Sequence, residues 1–219
     1  MASDVDRFRA EYRAREIGPR YHGWLHFSFT TFGSLAAIAG ALSGVRSPKA
    51  WELGLVPVFF LFANFAEYMG HKGPMHHKRR GLELIFTRHT LMHHHFFTED
   101  RMECESSRDF QIMLFPPVLL IFFLGVVAAP IGAALFFIAG QNAGLLFIAT
   151  SMGYFLSYEW MHFAWHLPPE SFVGRLPPVR FLRRHHAAHH DLAKMGKWNF
   201  NITFPIFDLL LGTYWRPAA

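Results

Sequence analysis

Histidines are the residues of this chain whose type and spacing point most directly to chemistry. Thirteen of the 15 histidines lie in four clusters. The last cluster places His186, His189 and His190 at positions i, i+3 and i+4, so their rings share one face of a helix. Buried neutral imidazoles need partners for their ring nitrogens, and a metal ion supplies one. Taken alone, this cluster is equally well interpreted as a solvated histidine-rich loop.

Three earlier clusters favour the metal interpretation. Gly73 and Pro74 could turn the chain between His71 and His76, so that rings five residues apart both aim inward. The other clustered histidines are His77, then His89, His93, His94 and His95, then His162 and His166, and finally His185. Together the clusters provide the roughly eight to ten histidines that two ions with mostly imidazole ligands need. A further pair, His22 and His26, is interpreted as interfacial rings beside an apolar run.

A few polar side chains near the clusters are expected to support the ligands. Glu67 lies one turn before His71, Glu159 lies three residues before His162, and Asp191 follows His190. Such carboxylates can accept the free ring N–H and fix the tautomer of a metal-bound imidazole. They are too few to be the main ligands, in contrast to carboxylate-rich di-iron bundles. Asn199 is a candidate contact of a metal-bound water.

Long apolar blocks must position these residues. The chain of 219 residues is 52% hydrophobic and contains 25 Phe, which is a heavy apolar content for a soluble fold. Its apolar blocks are long enough to cross a bilayer core of about 30 Å as helices. The sequence predicts four spans, at about 26–44, 51–70, 113–129 and 143–162, with 131–139 left open between the last two. The predicted fold is all-α: a membrane bundle of four transmembrane helices with a cytoplasmic histidine-rich helical cap.

The charge distribution predicts the topology of this bundle. The formal net charge is +5, but Lys and Arg concentrate in segments that flank the apolar blocks, which favours a membrane protein over a nucleic-acid partner. Both termini and the middle loop are expected on the cytoplasmic side of a bacterial inner membrane, or of the endoplasmic reticulum if the protein is eukaryotic. One cysteine, Cys104, excludes an intrachain disulfide framework, and the charged N-terminus is unlike a cleavable signal peptide.

The chain is predicted to divide into an N-terminal segment, residues 1–25, and a four-span domain, residues 26–219. Within residues 4–21, Val5, Phe8, Tyr12 and Arg15 lie near one helical stripe, surrounded by charged residues that include Arg7, Arg9 and Arg13. This pattern is typical of an amphipathic helix on an anionic membrane surface.

In their order and spacing, HxxxxHH (71–77), HxxxHH (89–94), HxxxH (162–166) and HxxHH (186–190) resemble the fatty acid hydroxylase / sterol desaturase superfamily, most closely its fatty acid 2-hydroxylases. Asp109 ahead of Phe115-Pro116-Pro117 and the ending 200–213 are similar to the family as well. The resemblance implies that Asp109, like Glu67 and Glu159, supports the metal ligands without binding the metal itself. It implies ten metal ligands: His71, His76, His89, His93, His94, His162, His166, His186, His189 and His190. The choice between His76 and His77 stays open. The choice among His93, His94 and His95 also stays open, because the second cluster has one residue more than the 2-hydroxylase spacing.

The resemblance implies a membrane di-iron monooxygenase that uses O2 to hydroxylate a C–H bond of a fatty acyl, sphingolipid or sterol-like lipid. Two iron ions are expected, and zinc can load the same imidazole sites in purified protein. No cytochrome b5 domain is fused within these residues, so a separate donor of the cytochrome b5, ferredoxin or reductase type is expected to supply electrons. The alternatives are a lipid desaturase of the same superfamily and a non-enzymatic metal-binding or transport protein. Ligands at span ends rather than at the bilayer midplane argue against transport.

Overall fold

A computed structural model describes residues 3–216, and the predicted all-α class is confirmed for them: 68% is helix and no strand is present in this range. The α-helices, in chain order, are α1 Asp4–Arg15, α2 Gly23–Ser43, α3 Ala50–Leu53, α4 Leu55–Gly70, α5 Glu83–Phe86, α6 His94–Phe96, α7 Phe110–Met113, α8 Pro117–Phe122, α9 Ala129–Ala139, α10 Gln141–Trp165, α11 Pro177–His189 and α12 Ile206–Leu210. Three π-helical turns, His71–Met75, Thr87–His93 and Phe123–Ala128, and a 3-10 turn, Ser107–Asp109, complete the set.

Three helical stretches are long and apolar enough to cross a membrane: Gly23–Ser43, Ala50–Met75 and Pro117–Ala139. The first two agree with the predicted spans to within a few residues at most boundaries. The third prediction, 113–129, begins too early, and the observed stretch also includes residues 131–139, whose place the sequence left open. Leu114 is extended and Pro117 starts the new helix, while the π-helical turn before α9 lets the helix continue past Pro130.

The predicted fourth span corresponds to the 25-residue helix α10. It is not among the stretches that qualify as candidate spans, because Tyr, Ser, Glu and His residues dilute its apolar content. A fourth crossing and the cytoplasmic side of the histidine-bearing segments therefore stay predictions.

The chain divides into two compact units. The first comprises the residues up to Gly23, Phe65–Leu114 and the residues from Trp160 onward, and the second comprises Trp24–Asn64 and Phe115–Glu159. All thirteen clustered histidines belong to the first unit. Helices α4 and α10 each begin in the second unit and end in the first, close to a histidine cluster in the chain.

The second unit is held by apolar packing and by a close helix approach. Phe59 packs with Leu146 and Phe147 in one of its core clusters. A Cβ on Gly144 would lie 2.4 Å from the carbonyl oxygen of Gly132, so glycine at this position allows the two backbones to meet. Small residues at helix contacts are the usual means of close packing in a membrane, where apolar burial alone favours no partner.

The first unit begins with α1, which Ser3 and Asp6 cap reciprocally in a capping box. Arg9, one of the charged residues expected around the stripe of a helix at a membrane surface, is only 1% exposed. Burial is tolerated because its guanidinium finds a carboxylate and two main-chain carbonyls as acceptors.

The C-terminal part of the first unit is organised by a buried carboxylate. The two Asp208 carboxylate oxygens accept hydrogen bonds from the main-chain N–H of Phe200 (2.9 Å) and Asn201 (2.7 Å) and from the Thr213 hydroxyl (2.7 Å). Asn199 adopts a left-handed conformation with φ 60°, which asparagine tolerates better than most residues. We call residues 198–214, folded around Asp208, the closing segment.

Candidate metal centre

The structure gathers ten buried histidines into two groups of five. The first group contains His71, His76, His89, His94 and His189, and the second contains His93, His162, His166, His186 and His190. Within each group, one nitrogen from every ring lies within 4.8 Å of the others. All ten sequence-predicted ligands are brought together, and none of the three neighbouring histidines, His77, His95 and His185, belongs to either group.

Two π-helical turns position four of the five rings in the first group. His71 begins the first turn and His76 follows its last residue, with non-helical Gly73 between them. The expected turn of the chain at this point is confirmed, because the two rings lie 5.0 Å apart. On the second turn, His89 and His94 have ring centroids 4.8 Å apart. In a π-helix, hydrogen bonds join residue i to i+5, so residues five apart come together on one side.

Ordinary α-helical spacing builds most of the second group. His162 and His166 lie at i and i+4 at the end of α10, and their rings are 4.8 Å apart. His186 and His190 repeat this spacing at the end of α11, at 4.5 Å. His93 completes the group from the second π-helical turn. The spacing of four between His89 and His93 predicts that they share one helix face. Their rings do stack at 5.4 Å, but they belong to different groups.

Polar acceptors fix the tautomers of the first group. The Nδ1–H of His71 donates to the carbonyl of Phe200 at 2.7 Å, and that of His189 donates to the carbonyl of Trp198 at 2.9 Å. The Thr90 hydroxyl donates its hydrogen bond to the Met75 carbonyl. Its oxygen can therefore act only as an acceptor toward Nδ1 of His76, at 3.2 Å. Each of these three rings therefore carries its proton on Nδ1 and offers the lone pair of Nε2.

Main-chain carbonyls fix the tautomers of rings in the second group, and these carbonyls come from another part of the chain. His93 donates to Ile112 (3.1 Å), His166 donates to Met102 (2.7 Å) and His190 donates to Phe97. The main chain of Met113 hydrogen-bonds His162. In each group one fully buried ring, His94 or His186, has an Nδ1 without a hydrogen-bond partner.

The donor set fits a cation in each group. In the first group, Nε2 of His71 lies 2.9 Å from Nε2 of His89, and Nε2 of His76 lies 2.9 Å from that of His189. In the second group, Nε2 of His93 and Nε2 of His162 are 3.2 Å apart. Lone pairs directed at one another repel unless a proton or a metal ion lies between them. Because Nδ1 already carries the proton in most of these rings, a metal ion is the partner that the arrangement fits.

Burial keeps these rings neutral and therefore able to bind metal. It lowers the pKa of His94, His186 and His190 well below the usual 6.5, because desolvation disfavours the imidazolium form and neighbouring rings would repel its charge. The pKa of His89 is lowered for the same reasons. The two groups are also adjacent, since the rings of His94 and His190 stack with centroids 4.3 Å apart.

The predicted supporting residues lie as follows. Thr203 donates its main-chain N–H to Glu67 at 3.1 Å and its hydroxyl to the same carboxylate, whereas His71 takes its Nδ1 acceptor from Phe200. Asp109 binds Arg13 through two hydrogen bonds. Glu159, in the second unit, accepts the main-chain N–H of Phe115 at 3.3 Å. These contacts tie chain segments together, and the Nδ1 acceptors described for the two groups are main-chain carbonyls and the Thr90 hydroxyl.

The Asn199 side chain forms hydrogen bonds with the main chain of two other residues. Its amide nitrogen donates to the His185 carbonyl at 2.9 Å, and its amide oxygen accepts the main-chain N–H of Trp215 at 2.8 Å. The expected contact of Asn199 with a metal-bound water stays a prediction. Thr90 is a supporting residue that the sequence reasoning missed, although its position directly after His89 was a usable signal.

The fold and the site together define a helical protein with candidate membrane spans and two adjacent all-histidine groups that could hold metal ions. A model of the fatty acid hydroxylase family matches residues 56–213, well over half of the chain. The chain belongs to the fatty acid hydroxylase family, which confirms the resemblance at the level of the superfamily. Membership implies an oxidoreductase that acts on membrane lipid. No curated protein and no solved structure matches the chain.

Proposed function

We propose that this protein is a membrane di-iron monooxygenase that hydroxylates a C–H bond of a lipid, with O2 as cosubstrate and a separate protein as electron donor. The observation that carries the proposal is the pair of adjacent, buried five-histidine groups in a chain of this family. Two iron ions held there would supply the activation of O2 that oxidation of an unactivated C–H bond requires.

The protein's own residues prepare the centre for this chemistry. Carbonyl acceptors hold protons on Nδ1 of His71, His189, His93, His166 and His190, so that each ring presents Nε2 inward. Burial excludes water and keeps the imidazoles neutral. The fully buried Trp165 packs against the His186 ring at 5.1 Å and adds an apolar wall on that side.

Lipid mass spectrometry of cells with and without the gene tests the proposed reaction. A hydroxylase adds one oxygen atom to the product, and growth under heavy-isotope O2 would label that atom. A product that has lost two hydrogens and carries no label would instead identify a desaturase. An unchanged lipid profile would favour the non-enzymatic metal-binding alternative. Regiochemistry, including the 2-position of a fatty acid, is read from the fragmentation of the same product.

A matched pair of variants tests whether the proposed hydroxylation depends on the histidine groups. His162→Ala removes one ring from the second group, and we expect it to abolish the product while the protein remains in the membrane. His77→Ala is the control, because the His77 side chain is exposed and its ring donates to the Lys72 carbonyl rather than joining either group. Full activity in His162→Ala would refute the assignment of the site.

A further inference from the structure

Helix α1, which lies outside the family match, contacts the chain segment that orients the second histidine group. We propose that α1, through Arg9 and Arg13, positions the second group and sets its metal affinity, with little effect on the first group. Both arginines are positioning residues, because they touch no histidine of either group directly in the contacts described below. The inference rests on the metal binding in the proposed function.

We call Arg9 and Arg13 together the clamp, because both hold the chain segment 96–112. Arg9 is its first part. Its Nε donates to the Phe96 carbonyl at 2.7 Å, Nη2 donates to the Arg101 carbonyl at 2.5 Å, and Nη1 donates to the Glu105 carboxylate at 2.8 Å. The guanidinium also lies 5.1 Å from the centroid of the Phe96 ring. A buried charge is costly unless it is paired and hydrogen-bonded, so these three acceptors and Arg9 fix one another.

Arg13 is the second part. Its Nε and Nη2 donate to the two oxygens of Asp109 at 2.8 and 2.9 Å, the bidentate geometry that arginine favours with carboxylates. Asp109 is fully buried and also accepts the main-chain N–H of Glu105 at 2.8 Å. Arg13 further pairs with the Glu105 carboxylate at 2.8 Å. One helix thus holds the segment at both Arg9 and Arg13.

The clamped segment carries the carbonyls that orient the second group. Phe97 follows Phe96 and accepts from His190, and Met102 follows Arg101 and accepts from His166. Ile112, three residues after Asp109, accepts from His93. The first group takes its described Nδ1 acceptors elsewhere, from Thr90, Trp198 and Phe200. Loosening the clamp should therefore disturb the second group selectively.

The test is metal content of the full-length chain, purified in detergent and loaded anaerobically with ferrous iron. We expect about two ions per wild-type chain and about one in Arg9→Met, because supporting contacts of this kind are worth roughly 10–100-fold in metal affinity. Arg9→Lys keeps the charge but lacks the planar fork, so it should give an intermediate affinity in chelator competition.

Double variants show which group loses its ion. Arg9→Met in a His76→Ala background should leave almost no metal, whereas in a His162→Ala background it should cause no further loss. Arg15→Met is the control, because Arg15 lies on the same helix, is exposed and pairs only loosely with Glu11 at 4.0 Å. Arg13→Gln repeats the test through the other contact if Arg9→Met does not accumulate.

The outcomes separate this inference from the proposed function. Wild-type protein that binds no iron would overturn both. Wild-type protein with two ions, and Arg9→Met and Arg13→Gln that also keep two at unchanged affinity, would overturn the inference alone. Equal loss from both groups in the double variants would likewise overturn it, since a general loss of folding predicts no selectivity.

Discussion

The first histidine group uses pairs five residues apart on π-helical turns, His71 with His76 and His89 with His94, whereas the second uses pairs four residues apart on α10 and α11. Both solutions bring ring centroids to within 5.0 Å. The π-helical solution needs an extra residue per turn, and non-helical Gly73 marks where the first turn departs from regular geometry. The comparison shows that one ligand geometry can be reached through two different backbone periods.

The groups differ again in what supports them. The closing segment and Thr90 orient rings of the first group, and residues 97–113 orient rings of the second. In burial, however, the two groups are alike, because at least three rings in each are at most 1% exposed. The groups should therefore respond equally to acid and unequally to mutations of their supports.

The largest expected effect is on the stability of the metal-free protein in acid. Burial lowers the pKa of His94 and His186 well below 6.5. As the pH falls below 6.5, the unfolded chain takes up protons that the folded chain does not, so stability is greatest above this value and falls below it. Each such histidine contributes up to about 1.4 kcal/mol per pH unit. Unfolding in mild detergent across this pH range measures the slope.

His94 and His186 are a matched pair for this measurement, one in each group, both fully buried and both with an unpartnered Nδ1. His94→Phe and His186→Phe should each reduce the acid slope by the same amount, because Phe fills similar space and does not titrate. Clearly different reductions would mean that the groups are not equally buried.

The second-largest effect is expected from a change in the closing segment, which orients rings of the first group. Asp208→Asn leaves a carboxamide with one acceptor oxygen where the carboxylate bound the N–H groups of Phe200 and Asn201 on separate oxygens. We expect a loss of about 2 kcal/mol in stability, because a buried donor is left unpaired. The Phe200 carbonyl, which orients His71, should shift with it, so iron should be lost from the first group before the second. Asp191→Asn is the control: Asp191 was expected to support His190, but its described partners are Lys194 and the Ala193 N–H, while Nδ1 of His190 donates to Phe97.

The smallest effect should come from one hydroxyl. Thr90→Val keeps the shape of the side chain but removes the acceptor for Nδ1 of His76. We expect roughly tenfold weaker binding in the first group and unchanged binding in the second. Chelator competition in His162→Ala and His76→Ala backgrounds separates the two groups. Thr87→Val, on the same π-helical turn, should change neither, and an equal effect of both threonine variants would assign the change to the turn itself.

Residue type and order were enough to predict the family, the all-α class and the ten histidines that the structure gathers. Their division into two groups was not predictable from α-helical faces, because a π-helical turn changes which residues lie together. An α-helical template pairs His89 with His93, yet the structure groups His89 with His94. The spacing of five between His71 and His76 was the visible sign of the same effect.

The groups that orient the histidine rings were harder to predict, for a different reason. Main-chain carbonyls of Phe97, Met102 and Ile112 are present in any sequence, so no residue type marks them as acceptors. Arg9 could not be told apart from the other charged residues of the predicted amphipathic helix, because its acceptors, the carbonyls of residues 96 and 101 and the Glu105 carboxylate, lie about ninety residues away in the chain. Long-range partners of this kind are set by tertiary structure and leave no local pattern.

His189 and His190 are neighbours in the chain but belong to different groups. Their earliest partners, His71 and His93, are synthesised roughly a hundred residues before them. The first group cannot be complete until the ribosome has added residue 189, and the second cannot be complete until it has added residue 190. A metal ion that needs all five rings of a group could therefore bind only after this dipeptide is synthesised, and a chain truncated just before it would lack one ring in each group.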